Sequence, residues 1–238
     1  MDAGRVECDG VRVSYLDSGS SPGEAGAPLV IVPGMLERAE DYEALMEALA
    51  PRRCVAISLR GRGDSDAPAT GYSFDDQCGD VNAVLAHLGL ANPVLFGFSA
   101  GVGFAFGVAL TDGVRVAGMI AGDYVPGYWT LPQAWLDDAL SHVDEHGVSA
   151  GSLRAMVADS SDVWLGPRLA ELPFPVMCLF GQDSPMDAPE MAKIYGQFLP
   201  DAEVHLLADC GHDLLESGLE PVLALVRGFL ARVDGAGD

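Results

Sequence analysis

The most constraining feature of the sequence is a long stretch without charge. Between Val81 and Thr111 the chain has no Asp, Glu, Lys or Arg, and from Val94 to Leu110 nearly every residue is apolar. Such a stretch is either buried in a protein core or crosses a membrane. Four glycines and a serine interrupt the apolar residues, and the run is short for a bilayer, which needs about 20 apolar residues. We therefore expect it to form the centre of a folded core, with no membrane partner.

Strand-like and helix-like segments alternate along most of the chain. The apolar run at 28–33 is typical of a strand buried on both faces, and the acidic, amphipathic segment at 39–49 is typical of a surface helix. This alternation predicts an α/β fold, with a mainly parallel sheet and helices on both of its faces. Strands are predicted at 11–15, 28–33, 54–58, 93–96, 116–121, 176–180 and 203–207, and helices at about 39–49, 74–88, 100–110, 189–198 and 219–233.

One segment, residues 124–174, breaks this alternation. It has a helical pattern that prolines and glycines interrupt, and it contains all three tryptophans of the chain. A connection of about fifty residues is far longer than those that usually join neighbouring elements of a sheet. We therefore predict a small helical cap at 124–174, inserted in a core formed by residues 1–123 and 175–238.

Acidic residues dominate the charge of the chain. Its 238 residues include 13 Lys and Arg against 35 Asp and Glu, which gives a net charge of −22. This charge repels phosphate backbones and anionic lipid, so we expect a small-molecule partner and no nucleic acid. The five cysteines are scattered, and the N-terminus lacks the features of a signal peptide. Both observations favour a cytoplasmic protein without disulfides, whose oligomeric state stays open.

The sharpest motif is a G-x-S-x-G sequence, Gly97 to Gly101, inside the uncharged stretch. It lies where a predicted strand ends and a predicted helix begins, and we call it the nucleophile elbow. A serine on so tight a turn has its hydroxyl lifted above the edge of the sheet, and the glycines keep side chains away from the neighbouring strand and helix. The motif predicts Ser99 as a nucleophile and the N–H of Ala100 as an oxyanion donor.

A serine nucleophile needs a base, and the base needs a carboxylate that orients it. His212 and Asp183 each follow a predicted strand, and the carboxyl ends of parallel strands meet at one edge of a sheet. We predict His212 as the base and Asp183 as its partner. Asp123 also ends a predicted strand and stays open as the alternative partner.

These motifs resemble those of the α/β-hydrolase superfamily over essentially the whole chain. The segment Pro33-Gly34-Met35 resembles the family's His-Gly-x oxyanion segment, with proline in place of histidine. The loop at 59–65 resembles the family's D-x-R-G-x-G-x-S loop, with Ser58 in place of the leading aspartate. The order of serine, aspartate and histidine is also the family's order. The resemblance implies the α/β-hydrolase fold, with Met35 as the second oxyanion donor and Gly34 in the substrate site.

The predicted cap resembles the lid of this family, although it is shorter than many. Aromatic residues that follow the strand ending at Asp123 could roof a substrate pocket, or they could form a small core within the cap. We expect Tyr128, Trp129 and Trp135 to contact the substrate.

Two further motifs favour other chemistries. The glycines 101, 103 and 107 resemble a dinucleotide fingerprint, with Asp123 at about the interval of a ribose-binding residue. That interpretation leaves the elbow serine without a role. Residues 142–146 match H-x-x-E-H, a zinc-protease pattern, but no further ligand is evident downstream. We expect neither a cofactor nor a metal.

The sequence as a whole predicts a serine hydrolase that cleaves a small carboxylic ester or thioester through an acyl-enzyme. An acyltransferase, which passes the acyl group to a nucleophile other than water, uses the same residues and stays an alternative. A dinucleotide-binding oxidoreductase is a remote alternative. An aspartate-nucleophile dehalogenase or epoxide hydrolase is disfavoured, because serine occupies the elbow.

Overall fold

A central sheet organises the protein. The computed structural model describes residues 1–19, 26–143 and 147–235. Within these residues, eight strands form one sheet in the order β1-β2-β4-β3-β5-β6-β9-β10, and β7 and β8 form a separate two-stranded ribbon. Every pair from β4 to β10 in this order is parallel, whereas β2 pairs antiparallel with both β1 and β4. The predicted α/β fold with a mainly parallel sheet is confirmed.

Most element bounds agree with the predicted ones to within a few residues. The strands are β1 (Asp2–Cys8), β2 (Val11–Asp17), β3 (Leu29–Val32), β4 (Cys54–Ser58), β5 (Val94–Phe98), β6 (Gly118–Gly122), β7 (Gly127–Tyr128), β8 (Val163–Trp164), β9 (Val176–Gly181) and β10 (Glu203–Leu207). The α-helices are α1 (Glu43–Ala48), α2 (Phe74–His87), α3 (Ala100–Ala109), α4 (Gln133–Ser141), α5 (Ala150–Asp159), α6 (Ala188–Phe198) and α7 (Leu214–Gly235), and short 3-10 helices cover Ala39–Tyr42 and Gly166–Glu171.

The first strand, β1, was not predicted from the sequence. Its side chains are mostly exposed or half-buried, so it has no apolar run. It pairs with β2 through the two-residue turn Asp9–Gly10, in which both residues have positive φ (49° and 80°). An Asp-Gly turn of this kind matches the twist of a hairpin. The Asp-Gly dipeptide is therefore the sequence signal from which this strand could have been predicted.

The uncharged stretch lies at the centre of the molecule, as expected. It forms the end of α2, all of β5 and all of α3, and every residue of β5 is buried. Side chains alternate across the sheet: Val30 joins the hydrophobic cluster beneath α2, α3 and α6, and its neighbour Leu29 joins the cluster beneath α1 and α7. No helix in the described ranges is long and apolar enough to cross a membrane.

Residues 124–174, here called the cap segment, connect β6 to β9. The segment contains α4 and α5, but it also contains the antiparallel ribbon β7-β8, so it is not purely helical as the sequence pattern predicted. Leu136 of α4 and Met156 of α5 belong to the same hydrophobic cluster as α2 and α3. The segment is thus packed onto the sheet domain through a shared core. Its treatment as an inserted unit, separate from residues 1–123 and 175–238, stays a prediction.

One close backbone approach ties α3 to the cap segment and yields a test. A Cβ atom on Gly103 would lie 2.2 Å from the carbonyl oxygen of Gly127, whereas a Cβ on Gly196, at an exposed position of α6, would meet nothing within 4 Å. Gly103→Ala should lower the free energy of unfolding by about 1–3 kcal/mol because it overpacks this contact. Gly196→Ala should raise it by about 0.5–1 kcal/mol through helix propensity. Urea unfolding of both variants measures the difference, and a Gly103→Ala protein as stable as Gly196→Ala would contradict the described packing.

Candidate active site

Ser99 lies on a strained turn between β5 and α3. Its backbone has φ 50° and ψ −131°, a conformation that a residue with a side chain rarely adopts. The flanking glycines allow this turn, because a Cβ on Gly97 would lie 2.7 Å from the carbonyl oxygen of Gly101, and a Cβ on Gly101 would lie 2.2 Å from that of Val32. The sequence motif therefore has the strand, turn and helix context that gives it meaning.

His212 connects Ser99 to a buried carboxylate. Its Nε2 lies 3.0 Å from Ser99 Oγ, and its Nδ1 lies 2.6 Å from Asp123 Oδ2. The Asp123 side chain is fully buried, and it also accepts hydrogen bonds from the backbone N–H of Gly181, at 2.9 Å, and from the Ser184 hydroxyl. These bonds hold the carboxylate still, and the carboxylate in turn orients the imidazole toward the serine.

The prediction that Asp183 holds the histidine is wrong; the partner of His212 is Asp123. Asp183 is exposed, and its backbone N–H donates to the carbonyl of Cys210. Asp123 follows β6, which is the immediate neighbour of the serine-bearing strand β5, whereas Asp183 follows β9, one strand further away. Both aspartates come one or two residues after a strand-ending glycine, so local sequence could not separate them.

The two predicted oxyanion donors flank the serine. Met35 follows β3 through Pro33 and Gly34, and a Cβ on Gly34 would lie 3.2 Å from Ser99 Cβ. Ala100 is the first residue of α3. The backbone hydrogen bonds among the described residues give no acceptor to the N–H of either Met35 or Ala100. Both N–H groups are therefore available to a ligand beside Ser99.

A cavity of about 570 Å³ opens next to Ser99 and His212. Met35 and Ala100 also line it, whereas Gly34, predicted in the substrate site, lies next to Ser99 but is not part of the lining. Apolar and aromatic side chains dominate the walls, among them Phe98, Tyr124, Tyr128, Trp129, Leu131 and Trp135. The three predicted cap aromatics, Tyr128, Trp129 and Trp135, are thus all in the lining. Such walls suit a mainly apolar ligand.

The cap aromatics differ in how far they reach toward solvent. Tyr128 is buried and packs its ring 5.2 Å from that of Phe104 in the core. Trp129 is 37% exposed and stacks on Trp164 at 5.9 Å. Tyr128 thus packs into the core shared with α3 rather than into a separate core of the cap, and Trp129 lines the cavity at the surface.

Comparison with known proteins agrees with the fold. A family model described as "alpha/beta hydrolase fold" matches residues 27–141. Two solved structures resemble nearly the whole chain: E-2-(acetamidomethylene)succinate hydrolase, with a TM-score of 0.79, 21% identity and coverage of 97% of this chain and 99% of that one, and the esterase RhEst1 from Rhodococcus sp. ECU1013, with a TM-score of 0.81, 22% identity and coverage of 98% and 100%. The chain has the α/β-hydrolase fold.

A relative found by sequence is the soluble epoxide hydrolase of Corynebacterium sp. (strain C12). It is 27% identical over 173 residues, which are 70% of this chain and 58% of that protein. The chain spans about half the length of the curated relatives it matches. Several similar proteins are named hydrolases or esterases.

One departure of this chain from the α/β-hydrolase motifs is accommodated locally. Ser58, which stands where the family has aspartate, is fully buried, and its hydroxyl accepts the N–H of Ala39 at 2.9 Å. It therefore holds the start of the first 3-10 helix against the end of β4.

The structure does not support the dinucleotide interpretation. The space beside Gly103 is filled by the backbone of Gly127, and that beside Gly107 is filled by the side chains of Phe74 and Cys78. These glycines therefore serve close packing rather than a phosphate cradle. The described ranges contain no group of His, Cys, Asp and Glu side chains that could hold a metal ion. Three residues of the H-x-x-E-H motif, 144–146, lie outside the described residues.

The sequence did not predict a role for Glu37, an acidic residue two positions after Met35. Its Oε2 accepts hydrogen bonds from the Gly34 N–H and the Tyr42 hydroxyl, both at 2.6 Å. The pKa of Glu37 is raised to about 7, chiefly by burial; the hydrogen bonds from Tyr42 and Gly34 lower it, and the nearby carboxylates of Asp213 and Asp41 raise it. The only sequence signal was an acidic residue close after the Pro-Gly-Met segment.

The raised pKa of Glu37 predicts a pH-dependent stability. Because the folded state binds this proton more tightly than the unfolded state, the free energy of unfolding should fall as pH rises from about 4.5 to about 7. Glu37→Gln keeps an oxygen that can accept both hydrogen bonds and removes the charge. At pH 8 the variant should be more stable than the wild type by about 1–3 kcal/mol, with the difference shrinking toward zero near pH 5.

Urea unfolding at the two pH values measures this difference. Glu40→Gln, at an exposed position three residues away, is the control. Its difference in stability from the wild type should be the same at both pH values. A Glu37→Gln effect that is equal at pH 5 and pH 8 would show that the carboxyl is not held near neutrality.

Proposed function

We propose that the protein is a serine hydrolase that cleaves a small carboxylic ester or thioester through an acyl-enzyme. The observation that carries the proposal is the hydrogen-bonded series from Asp123 through His212 to Ser99, at the wall of a mainly apolar cavity. A buried carboxylate, an imidazole and a serine in this order are the parts that nucleophilic acyl transfer requires.

In the proposed reaction, Ser99 Oγ attacks the carbonyl carbon of the bound substrate while His212 Nε2 takes the hydroxyl proton. The N–H groups of Met35 and Ala100 donate to the oxyanion that forms. Asp123 stabilises the imidazolium, which then gives its proton to the departing alcohol or thiol. Water attacks the acyl-enzyme in the second half of the reaction, with His212 again as the base.

The cavity favours an acyl group of modest size. A volume of about 570 Å³ is within the range of small-molecule sites, and the aromatic walls favour apolar or planar acyl groups. Similarity to proteins named esterase or hydrolase is consistent with this substrate class. The similarity to an epoxide hydrolase carries less weight, because an alkyl-enzyme route needs a carboxylate nucleophile and this chain has Ser99 at the elbow.

Ser99→Ala is the first test of this proposal. The variant should lose nearly all turnover of a panel of p-nitrophenyl esters and acyl thioesters of graded chain length, and it should lose labelling by a fluorophosphonate probe, because both need the serine oxygen. Ser184→Ala, another hydroxyl near Asp123, is the control and should keep the label. Labelling that survives Ser99→Ala would assign the nucleophile to another residue.

The partner of the histidine is tested by a matched pair of aspartate variants. Asp123→Asn should lower kcat by about 10²- to 10⁴-fold, because an amide no longer selects the productive imidazole tautomer. Asp183→Asn should leave kcat within about twofold, since its exposed side chain does not contact His212. Steady-state kinetics on the best ester of the panel measures both. The reverse ranking of the two variants would restore Asp183 as the partner.

A further inference from the structure

Arg62 has a buried guanidinium that no carboxylate in the described ranges pairs with. It is 1% exposed, and it takes part in none of the ion pairs among those residues. Arg60, two residues earlier, is also buried, but its guanidinium pairs with Asp80 at 2.6 Å. A buried charge without a counter-charge is costly, so its retention calls for a specific set of contacts.

Those contacts converge on the oxyanion segment. Arg62 Nε donates to the backbone carbonyl of Met35 at 2.8 Å, and Nη2 lies 3.0 Å from the sulfur of the same residue. Nη1 donates to the Arg60 carbonyl and to Gln77 Oε1, both at 2.8 Å. Nε and Nη2 of the guanidinium thus bind Met35 through its backbone and its side chain. Nη1 binds the loop after β4 and α2.

Holding a residue at two points restricts its backbone rotation. With the carbonyl and the thioether of Met35 both bound, rotation about the backbone bonds of this residue is restricted, and this restriction also limits the movement of its N–H. The guanidinium is rigid and planar, so it fixes direction better than a flexible ammonium group. Burial lowers the pKa of Arg62 to about 10, which still leaves it charged at neutral pH.

We propose that Arg62 is the positioning residue of the oxyanion hole, acting through its hydrogen bonds to Met35. This proposal rests on the proposed acyl-enzyme reaction, and it gives the loop at 59–65 a specific role in that reaction. A preorganised donor stabilises the transition state without having to reorient during the reaction, and a loosely held donor loses that advantage. Arg62 does not line the cavity, so its effect on substrate binding in the ground state is small.

The test compares Arg62→Met, which removes the charge and the fork, with Arg62→Lys, which keeps the charge but not the fork. Relative to the wild type, Arg62→Met should lower kcat by about 10- to 100-fold and leave KM within about twofold. Its inhibition constant for a trifluoromethyl ketone, to whose carbonyl carbon Ser99 adds, should rise by the same factor as kcat/KM falls. Arg62→Lys should lie between the wild type and Arg62→Met.

Arg60→Lys is the matched control, because Arg60 is buried in the same loop but bonds to Asp80 rather than to Met35. It should change thermal stability without changing kcat or ketone affinity by more than about twofold. A merely structural Arg62 would behave like Arg60, lowering stability alone, and that result would overturn the inference. If Arg62→Met does not fold, Arg62→Lys decides, with kcat lowered by about 3- to 10-fold as the supporting result and an unchanged kcat as the overturning one.

A failure of the Arg62 proposal can be distinguished from a failure of the proposed function. Turnover by the wild type that Ser99→Ala abolishes establishes the serine reaction whether or not the Arg62 variants differ from the wild type. Absence of any such turnover removes the proposed function itself.

Discussion

The close approach of α3 to the carboxyl ends of β3 and β5 is the constraint on which the site depends. Two glycines permit it, since a Cβ at either Gly97 or Gly101 would overlap neighbouring backbone. The approach forces Ser99 into a backbone conformation with positive φ, and it brings the segment after β3 against the serine. The strain is offset by the burial of the uncharged core around it, in which β5 is covered on both faces.

A second layer of the site consists of groups that hold the reactive ones. Asp123 orients His212 and is itself held by bonds from the loop after β9. Glu37 accepts the N–H of Gly34, the residue before Met35, and Arg62 donates to the carbonyl of Met35. The oxyanion segment is therefore held by both a carboxylate and a guanidinium, each largely removed from water. In such surroundings each polar contact is stronger than at the surface, which suits a site that must keep its geometry.

Sequence reasoning succeeded where local pattern alone decides the outcome. The apolar runs at 28–33 and 54–58 could hardly be anything but buried strands, and both are strands in the structure. The elbow motif placed Ser99 correctly between β5 and α3 for the same reason. The sequence does not predict strand β1, because its mostly exposed residues form no apolar run. It also does not predict the ribbon in the cap segment, because two residues per strand leave no periodicity to detect.

The sequence by itself determined the fold class and the positions of the serine and the histidine, because burial periodicity and the needs of a tight turn are encoded in neighbouring residues. The tertiary structure alone decided which aspartate holds His212, since Asp123 and Asp183 have similar local sequences and differ in which strand carries them. It also decided which contacts Glu37 and Arg62 make. Their contacts depend on the distance between chain segments that the sheet brings together. The residues next to Glu37 or Arg62 in sequence do not encode such a distance.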